Sequence, residues 1–216
     1  MLLLIATATS LFVLSILLII TGRHRSFVKM GRKEWMLSAL LGLLNPVAYY
    51  LRLFRAYQLL PAQVAQPLNM IWPIVLTLIS IPVLGASVGW KSILAMFISF
   101  SGVVLLSLQD GNFGKDPGNR TGILLALSSS VIWAFYWIGN ARRKSDPLTG
   151  LFLSFCFAFL YLLAGQAITS KPPPVSPEGW AAAIYVGIFE MGLAFFFWLK
   201  AMQKSSAAIT ANNRFL

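Results

Sequence analysis

An apolar run of helix length, residues 180–199, carries one carboxylate near its middle, Glu190. An ionisable side chain at that depth costs about 3 kcal/mol to insert, so it has to face a cavity or a partner. Two chemistries suit it: pairing with a cationic substrate, or carrying a proton in exchange for one. The structural alternative is a carboxylate locked to a nearby arginine or hydroxyl. Asn45 and Pro46 lie mid-way along a second run, 35–55. Proline removes a backbone donor and opens a kink, and an amide beside it makes a polar point inside the membrane. In the run 62–84, Asn69, Trp72 and Pro73 follow Gln63, Gln66 and Pro67. Three amides in one apolar helix are hard to place against lipid, so they are expected at a central interface, as pocket wall or as interhelical glue.

Aromatic side chains add a second kind of chemistry. Trp133 and Trp137 are four residues apart and share a helix face, with Tyr136 adjacent and Trp198 in another run. Such rings stack on flat or cationic ligands, or they anchor helices at the interface. Tyr49 and Tyr50 stand with Arg52 and Arg55 near one end of the 35–55 run, the pattern of a tyrosine belt beside snorkelling arginines. Arg214, close to the last residue, is an ion-pair candidate for Glu190. The substrate pathway expected from these residues comprises Asn45, Tyr49, Asn69, Trp72, Trp133, Trp137, Glu190 and Arg214. No catalytic set accompanies them. No glycine-rich phosphate loop follows a strand, no His/Cys/Asp cluster has metal spacing, and the one histidine, His24, lies in a basic loop. An enzyme is not expected, nor is a metal or a cofactor.

The elements that must position these side chains follow from composition. Hydrophobic residues make up 58% of the chain and charged ones 11%, with a mean hydropathy of +0.77. Too few polar residues exist to cover a water-soluble surface. The chain is expected to be an all-α, multi-pass membrane protein. Seven continuous apolar runs reach the length needed to span a bilayer: 1–20, 35–55, 62–84, 91–109, 121–140, 148–168 and 180–199. An eighth begins near Ala207. Continuity, rather than alternation, makes them helices and not barrel strands. The net charge of +11 is no sign of nucleic acid, because the cations sit in short loops between the runs. Eleven Lys and Arg flank the 21–34, 85–91, 141–146 and 200–206 loops and five occupy the alternate ones. That bias puts the first set in the cytoplasm and Met1 at the outer face. The apolar start has no basic segment before it, unlike a cleaved secretory signal. Cys156, alone in an apolar run, excludes an intrachain disulfide and reads as a small buried hydrophobe.

The runs also repeat. Residues 35–69 overlay 180–214 without a gap at an offset of 145, placing Trp35 on Trp180, Gly42 on Gly187, Asn45 on Glu190 and Asn69 on Arg214. Ser38, Gly42, Ala183 and Gly187, with Ser128, Ser129 and Ser130, are small residues that let helices approach closely. Matching hydropathy and loop positions suggest two related halves with a binding site between them. Under the same offset, each half holds five helices and the second is inverted. The chain then lacks the first helix of one half and the last two of the other.

The segments AQPLNMIWPIVLTLISIPVLG (65–85) and GWKSILAMFISFSGVVLLS (89–107) resemble the end of an EamA-type repeat of the drug/metabolite transporter superfamily. GILLALSSSVIWAFYWIGNARR (122–143) resembles the opening of a second, and WAAAIYVGIFEMGLAFFFWLKAMQKSSAAITANN (180–213) the helix pair further into it. The resemblance implies a ten-helix fold of two inverted five-helix repeats, here 1–109 and 121–216, and export of small metabolites or drugs by alternating access. It implies a plasma membrane location, the inner membrane in a bacterium. The expected partners are the lipid bilayer, a small-molecule substrate, protons as coupling ion and, as one option, a second copy in a homodimer; nucleic acid is not among them. A seven-helix receptor or a structural membrane protein is the alternative. The repeat argues against a receptor, and no lysine at a helix centre is available for a retinal Schiff base. A membrane transferase would need a catalytic constellation that the chain does not display.

Overall fold

The computed structural model describes residues 1–85, 88–108, 117–168 and 175–201, and among these no residue is in a strand. The helices are α1 (Leu2–Ile20), α2 (Arg32–Gly42), α3 (Tyr49–Leu59), α4 (Ala62–Asn69), α5 (Trp72–Leu84), α6 (Trp90–Leu108), α7 (Pro117–Ala141), α8 (Pro147–Ile168) and α9 (Pro177–Tyr185). A 3-10 turn, Arg23–Lys29, links α1 to α2. Six helical stretches are long and apolar enough to cross a membrane: Leu2–Ile20, Arg32–Leu59, Ala62–Val83, Gly118–Ala141, Pro147–Ile168 and Pro177–Ala201. The run expected over 91–109 is helical as well, as α6, outside those six.

Two of the spans depart from the regular α-helix, the first at a kink and the second in a π-helical segment. The first is Leu43–Ala48, between α2 and α3, where Asn45 adopts an extended backbone (φ −144°, ψ 125°). Pro46 explains it: proline has no N–H for the helical ladder, and its ring pushes the preceding residue out of the helical region. The second, Val186–Ala194, follows α9 and contains no proline. Shifted by 145, Leu43–Ala48 falls on 188–193, inside this second segment, and the first residue of α2 falls on the first residue of α9. The 62–84 run is also interrupted. It breaks at Met70 and Ile71, and Pro73 sits in the first turn of α5, where its missing N–H costs nothing.

The chain separates into two compact units, Met1–Pro46 with Arg143–Leu216, and Val47–Arg142. In the first, α1 packs on α8, α9 and the π segment, and α2 packs on α8. Leu14, Leu41, Leu151, Phe155 and Met191 form its buried centre. Backbones touch where glycine removes the side chain. A β-carbon on Gly42 would collide with the carbonyl of Ser154, and one on Gly187 would lie 2.5 Å from the carbonyl of Ala6. Across the α2·α8 contact, Trp35 meets Phe157 edge to face at 6.3 Å, and the Tyr161 hydroxyl donates to the Ala39 carbonyl at 3.3 Å.

In the second unit, α7 packs on α3, α4 and α5. Its apolar centre is Ala56, Leu60, Val64, Ala65, Leu68, Ile71 and Ala126. Gly122 lets α7 close onto Leu60, whose Cγ would lie 2.6 Å from a β-carbon there. Gly85 ends α5 in a left-handed conformation (φ 67°), the usual glycine cap.

Candidate functional site

One face of α7 presents Ser129, Trp133, Tyr136, Trp137 and Asn140, spaced three and four residues apart as a single helical stripe requires. The break between α4 and α5 puts Asn69 and Trp72 on either side of it, and α3 contributes Tyr49 from its first residue. Asn69 is buried and held at both ends of its amide. Its Oδ1 accepts from the Tyr49 hydroxyl at 3.0 Å, and its Nδ2 donates to Ser129 Oγ at 2.9 Å. Ser129 in turn donates to the Ala126 carbonyl at 2.6 Å. Two partners on opposite sides fix which way the amide points, leaving it preorganised rather than free to rotate.

Trp133 sits among the other rings. Its ring centroid is 4.3 Å from Tyr49, 5.9 Å from Trp137, 6.2 Å from Trp72 and 6.3 Å from Tyr136. Tyr136 and Trp137 contact each other edge to face at 5.2 Å and are fully buried. Trp133 and Trp72 are only half-buried, so their faces form the accessible part of the cluster. Such rings offer broad apolar area with electron-rich faces, suited to a flat or cationic solute, while Asn69 offers directional hydrogen bonding. Asn140, one turn beyond Tyr136 and Trp137, is buried; its Nδ2 donates to the Tyr136 carbonyl at 2.9 Å. Its Oδ1 has no partner among the described residues.

Of the residues singled out from the sequence, Tyr49, Asn69, Trp72, Trp133 and Trp137 converge here. Asn45 belongs to the first unit, at the kink between α2 and α3; it is fully buried, and neither amide atom has a partner among the described residues. Glu190 is exposed in the π segment of that same unit. Arg214 lies outside the described residues. Gln63 and Gln66, expected at the interior alongside Asn69, are exposed instead, because α4 turns Val64, Ala65 and Leu68 inward. Gln66 takes a hydrogen bond from the Tyr57 hydroxyl.

Sequence reasoning missed a charged cluster in the first unit. Arg143, counted as a loop cation, is buried. Its Nη1 donates to Ser38 Oγ at 2.9 Å, its Nη2 donates to Ser154 Oγ at 3.3 Å, and Glu34 Oε2 lies 3.8 Å from Nη1. Glu34 also accepts from the Ser145 hydroxyl at 2.7 Å. Gly150 makes the room: a β-carbon there would occupy the guanidinium's place. Beside it, Arg23 pairs with Asp146, which caps α8 by accepting from the Thr149 backbone N–H at 2.9 Å. The available signal was the rarity of acids. The chain has six, and two of them, Glu34 and Asp146, fall in its most basic loops.

Comparisons with known proteins agree with this picture of an apolar, helical, transport-type chain. The model of the EamA-like transporter family matches residues 1–108 and 120–212. The chain is 30% identical over 164 residues to the aromatic amino acid exporter YddG of Ancylobacter novellus, across 74% of this chain and 56% of that protein. It is 26% identical over 182 residues to protein PecM of Dickeya dadantii, across 82% and 60% of the two lengths. It is 27% identical over 127 residues to the uncharacterized transporter YyaM of Bacillus subtilis, across 56% and 42%. The chain thus spans well under two thirds of each of these relatives. One solved crystal structure, 26% identical, superimposes with a TM-score of 0.69 over 94% of this chain and 70% of that one.

Proposed function

The chain belongs to the EamA-like transporter family, and from that premise we propose that it exports a small organic solute bearing a flat ring, stacked on Trp133 and Trp72. It is a multi-pass membrane transporter, and the proposal concerns what it carries and how. The observation that supports the reading most is the half-buried Trp133 ring, within 6.3 Å of four other aromatic rings, one of which, Tyr49, hydrogen-bonds the amide of Asn69. Export of aromatic amino acids, the activity for which the Ancylobacter relative is named, is in keeping with such a wall.

The cluster takes Tyr49, Asn69 and Trp72 from the 1–109 half and Ser129, Trp133 and Trp137 from the 121–216 half, in keeping with a site between two repeats. The kink at Leu43–Ala48 falls, at an offset of 145, inside the π segment Val186–Ala194; this coincidence supports inverted repeats of five helices, with α6 as a seventh span of a ten-helix protein. In an alternating-access cycle, a proline kink and a π segment each give a helix a place to bend. Glu190, in the second of them, takes the coupling role by binding a proton that moves against the substrate. The plasma membrane is the proposed location, and a homodimer is compatible with the exposed apolar faces.

Transport by the full-length protein in reconstituted vesicles tests the reading. Tryptophan, tyrosine and phenylalanine are expected to move faster than leucine at equal concentration. Trp133→Ala is expected to raise KM about 2- to 12-fold, the range that one ring–ring contact of ~0.5–1.5 kcal/mol supplies. Equal rates for leucine and tryptophan, or an unchanged KM, would overturn it.

A further inference from the structure

A cavity of about 310 Å³ opens in the first unit at the end of α1 and α9's helical continuation. It is far from uniform in character. Its lining mixes two cations, Arg23 and Lys200, with Thr21 and with apolar Pro147, Leu148, Phe196 and Leu199. Leu148, Phe196 and Leu199 are buried, at 2%, 8% and 4% exposure.

Both cations are held in place. Arg23 is tethered by Asp146, which spends part of its guanidinium and leaves further N–H groups for a ligand. Lys200 carries its Nζ 4.8 Å from the centre of the Phe196 ring, on the cavity wall, and no carboxylate lies within ion-pair distance of it among the described residues. Two cations against one carboxylate leave the cavity with excess positive charge. Cations and buried apolar side chains in one lining ask for an amphipathic anion. A free phosphate would satisfy Arg23 and Lys200 and leave Leu148, Phe196 and Leu199 without a partner.

The position supplies the rest. Arg23 and Lys200 belong to the set of loops that hold eleven of the chain's Lys and Arg, the end that the charge bias places at the cytoplasmic leaflet. That leaflet carries the anionic lipids, and basic pockets between helices on that side bind their headgroups. We infer that this cavity is a binding site for an anionic glycerophospholipid, its phosphate between Arg23 and Lys200 and the start of an acyl chain along Leu148, Phe196 and Leu199. The volume, at the low end of ligand pockets, suits a headgroup with its glycerol rather than a whole lipid. The site is separate from the aromatic cluster and stands whether or not that cluster binds substrate.

The test uses the purified full-length protein in a neutral detergent, titrated with short-chain phosphatidylglycerol, phosphatidylcholine or inorganic phosphate and read by native mass spectrometry and thermal melting. Phosphatidylglycerol is expected to bind and raise the melting temperature, and the other two are not. Lys200→Gln, on an exposed side chain, is expected to fold normally and weaken phosphatidylglycerol about fivefold. Arg23→Gln is expected to weaken it too, and Lys91→Gln, in another loop of the same charge class, to leave it unchanged. Equal binding of the two lipids would remove the role of the headgroup. Equal effects of inorganic phosphate and phosphatidylglycerol would make the ligand a soluble anion. Full-strength phosphatidylglycerol binding by Lys200→Gln would overturn the site itself.

Discussion

Gly42 and Gly187, 145 residues apart, each let a helix approach a backbone closely: the first is pressed against the Ser154 carbonyl of α8, the second against the Ala6 carbonyl and the Thr9 side chain of α1. Thr9 and Ser154 are themselves 145 residues apart. Each glycine belongs to one half of the sequence and closes on a helix of the other, an exchange of equivalent contacts as a pseudo-two-fold arrangement would produce. Within a bilayer, where apolar side chains gain nothing by leaving lipid, such backbone approaches supply much of the cohesion.

Replacing either glycine by alanine is therefore expected to destabilise the protein by about 1–3 kcal/mol, the usual cost of overpacking. Gly102→Ala provides the comparison, because nothing lies within 4 Å of a β-carbon at that position and a helix gains from alanine. Melting of the detergent-solubilised variants separates them: Gly42→Ala and Gly187→Ala should melt below the parent and Gly102→Ala at or above it. Parent-like melting of either would show that the contact relaxes freely.

Arg143→Ala removes a buried guanidinium and its bonds to Ser38 and Ser154 together with its approach to Glu34, a loss expected to cost about 1–3 kcal/mol. Gly150→Val should have the same effect by filling the guanidinium's place, although it changes no charge. Adding Glu34→Gln to Arg143→Ala should recover part of the stability. If the double variant melts lower than the single one, Glu34 and Arg143 do not act as a pair.

How much of this was legible beforehand varies with the residue. Six of the seven expected spans and the break at Asn45 and Pro46 could be read, because proline's missing N–H acts locally and hydropathy needs only composition. The wide turn at Val186–Ala194 carries no proline and shows only through its offset from the first. That Trp133 and Trp137 share a face follows from helical spacing. That Trp133 stacks on Tyr49, 84 positions earlier, does not, since it depends on how α3 and α7 fit together. Arg143 was least legible. Its pocket is assembled from Ser38, Gly150 and Ser154, small residues that look like ordinary packing until the fold brings them around a guanidinium.

Tyr49→Phe keeps the ring beside Trp133 and deletes the donor to Asn69. The expected stability loss is small, about 0.6 kcal/mol and at most ~1.7, as for single hydrogen bonds between membrane helices. If Asn69 is a substrate contact, KM rises more than this loss of stability would suggest, and Asn69→Leu raises it further. Transport and melting measured on the same preparations distinguish the two effects. An unchanged KM in both variants would restrict Asn69 to packing.

Glu190→Gln should abolish the response of transport to an imposed pH gradient while leaving substrate binding intact. Vesicle uptake and efflux across a range of pH, with binding measured separately, check this. A Glu190→Gln protein that still follows the gradient would assign the coupling elsewhere.

The first unit is built from Met1–Pro46 and the segment that begins at Arg143. The ribosome therefore releases α1 and α2 long before α8 and α9 exist to receive them, with the whole of Val47–Arg142 emerging in between. Gly42 and Ser38, small residues meant for a helix backbone and a guanidinium, must meanwhile face lipid or a chaperone. Biogenesis of this unit thus includes a waiting period, during which α1 and α2 depend on the insertion machinery for protection until α8 and α9 arrive.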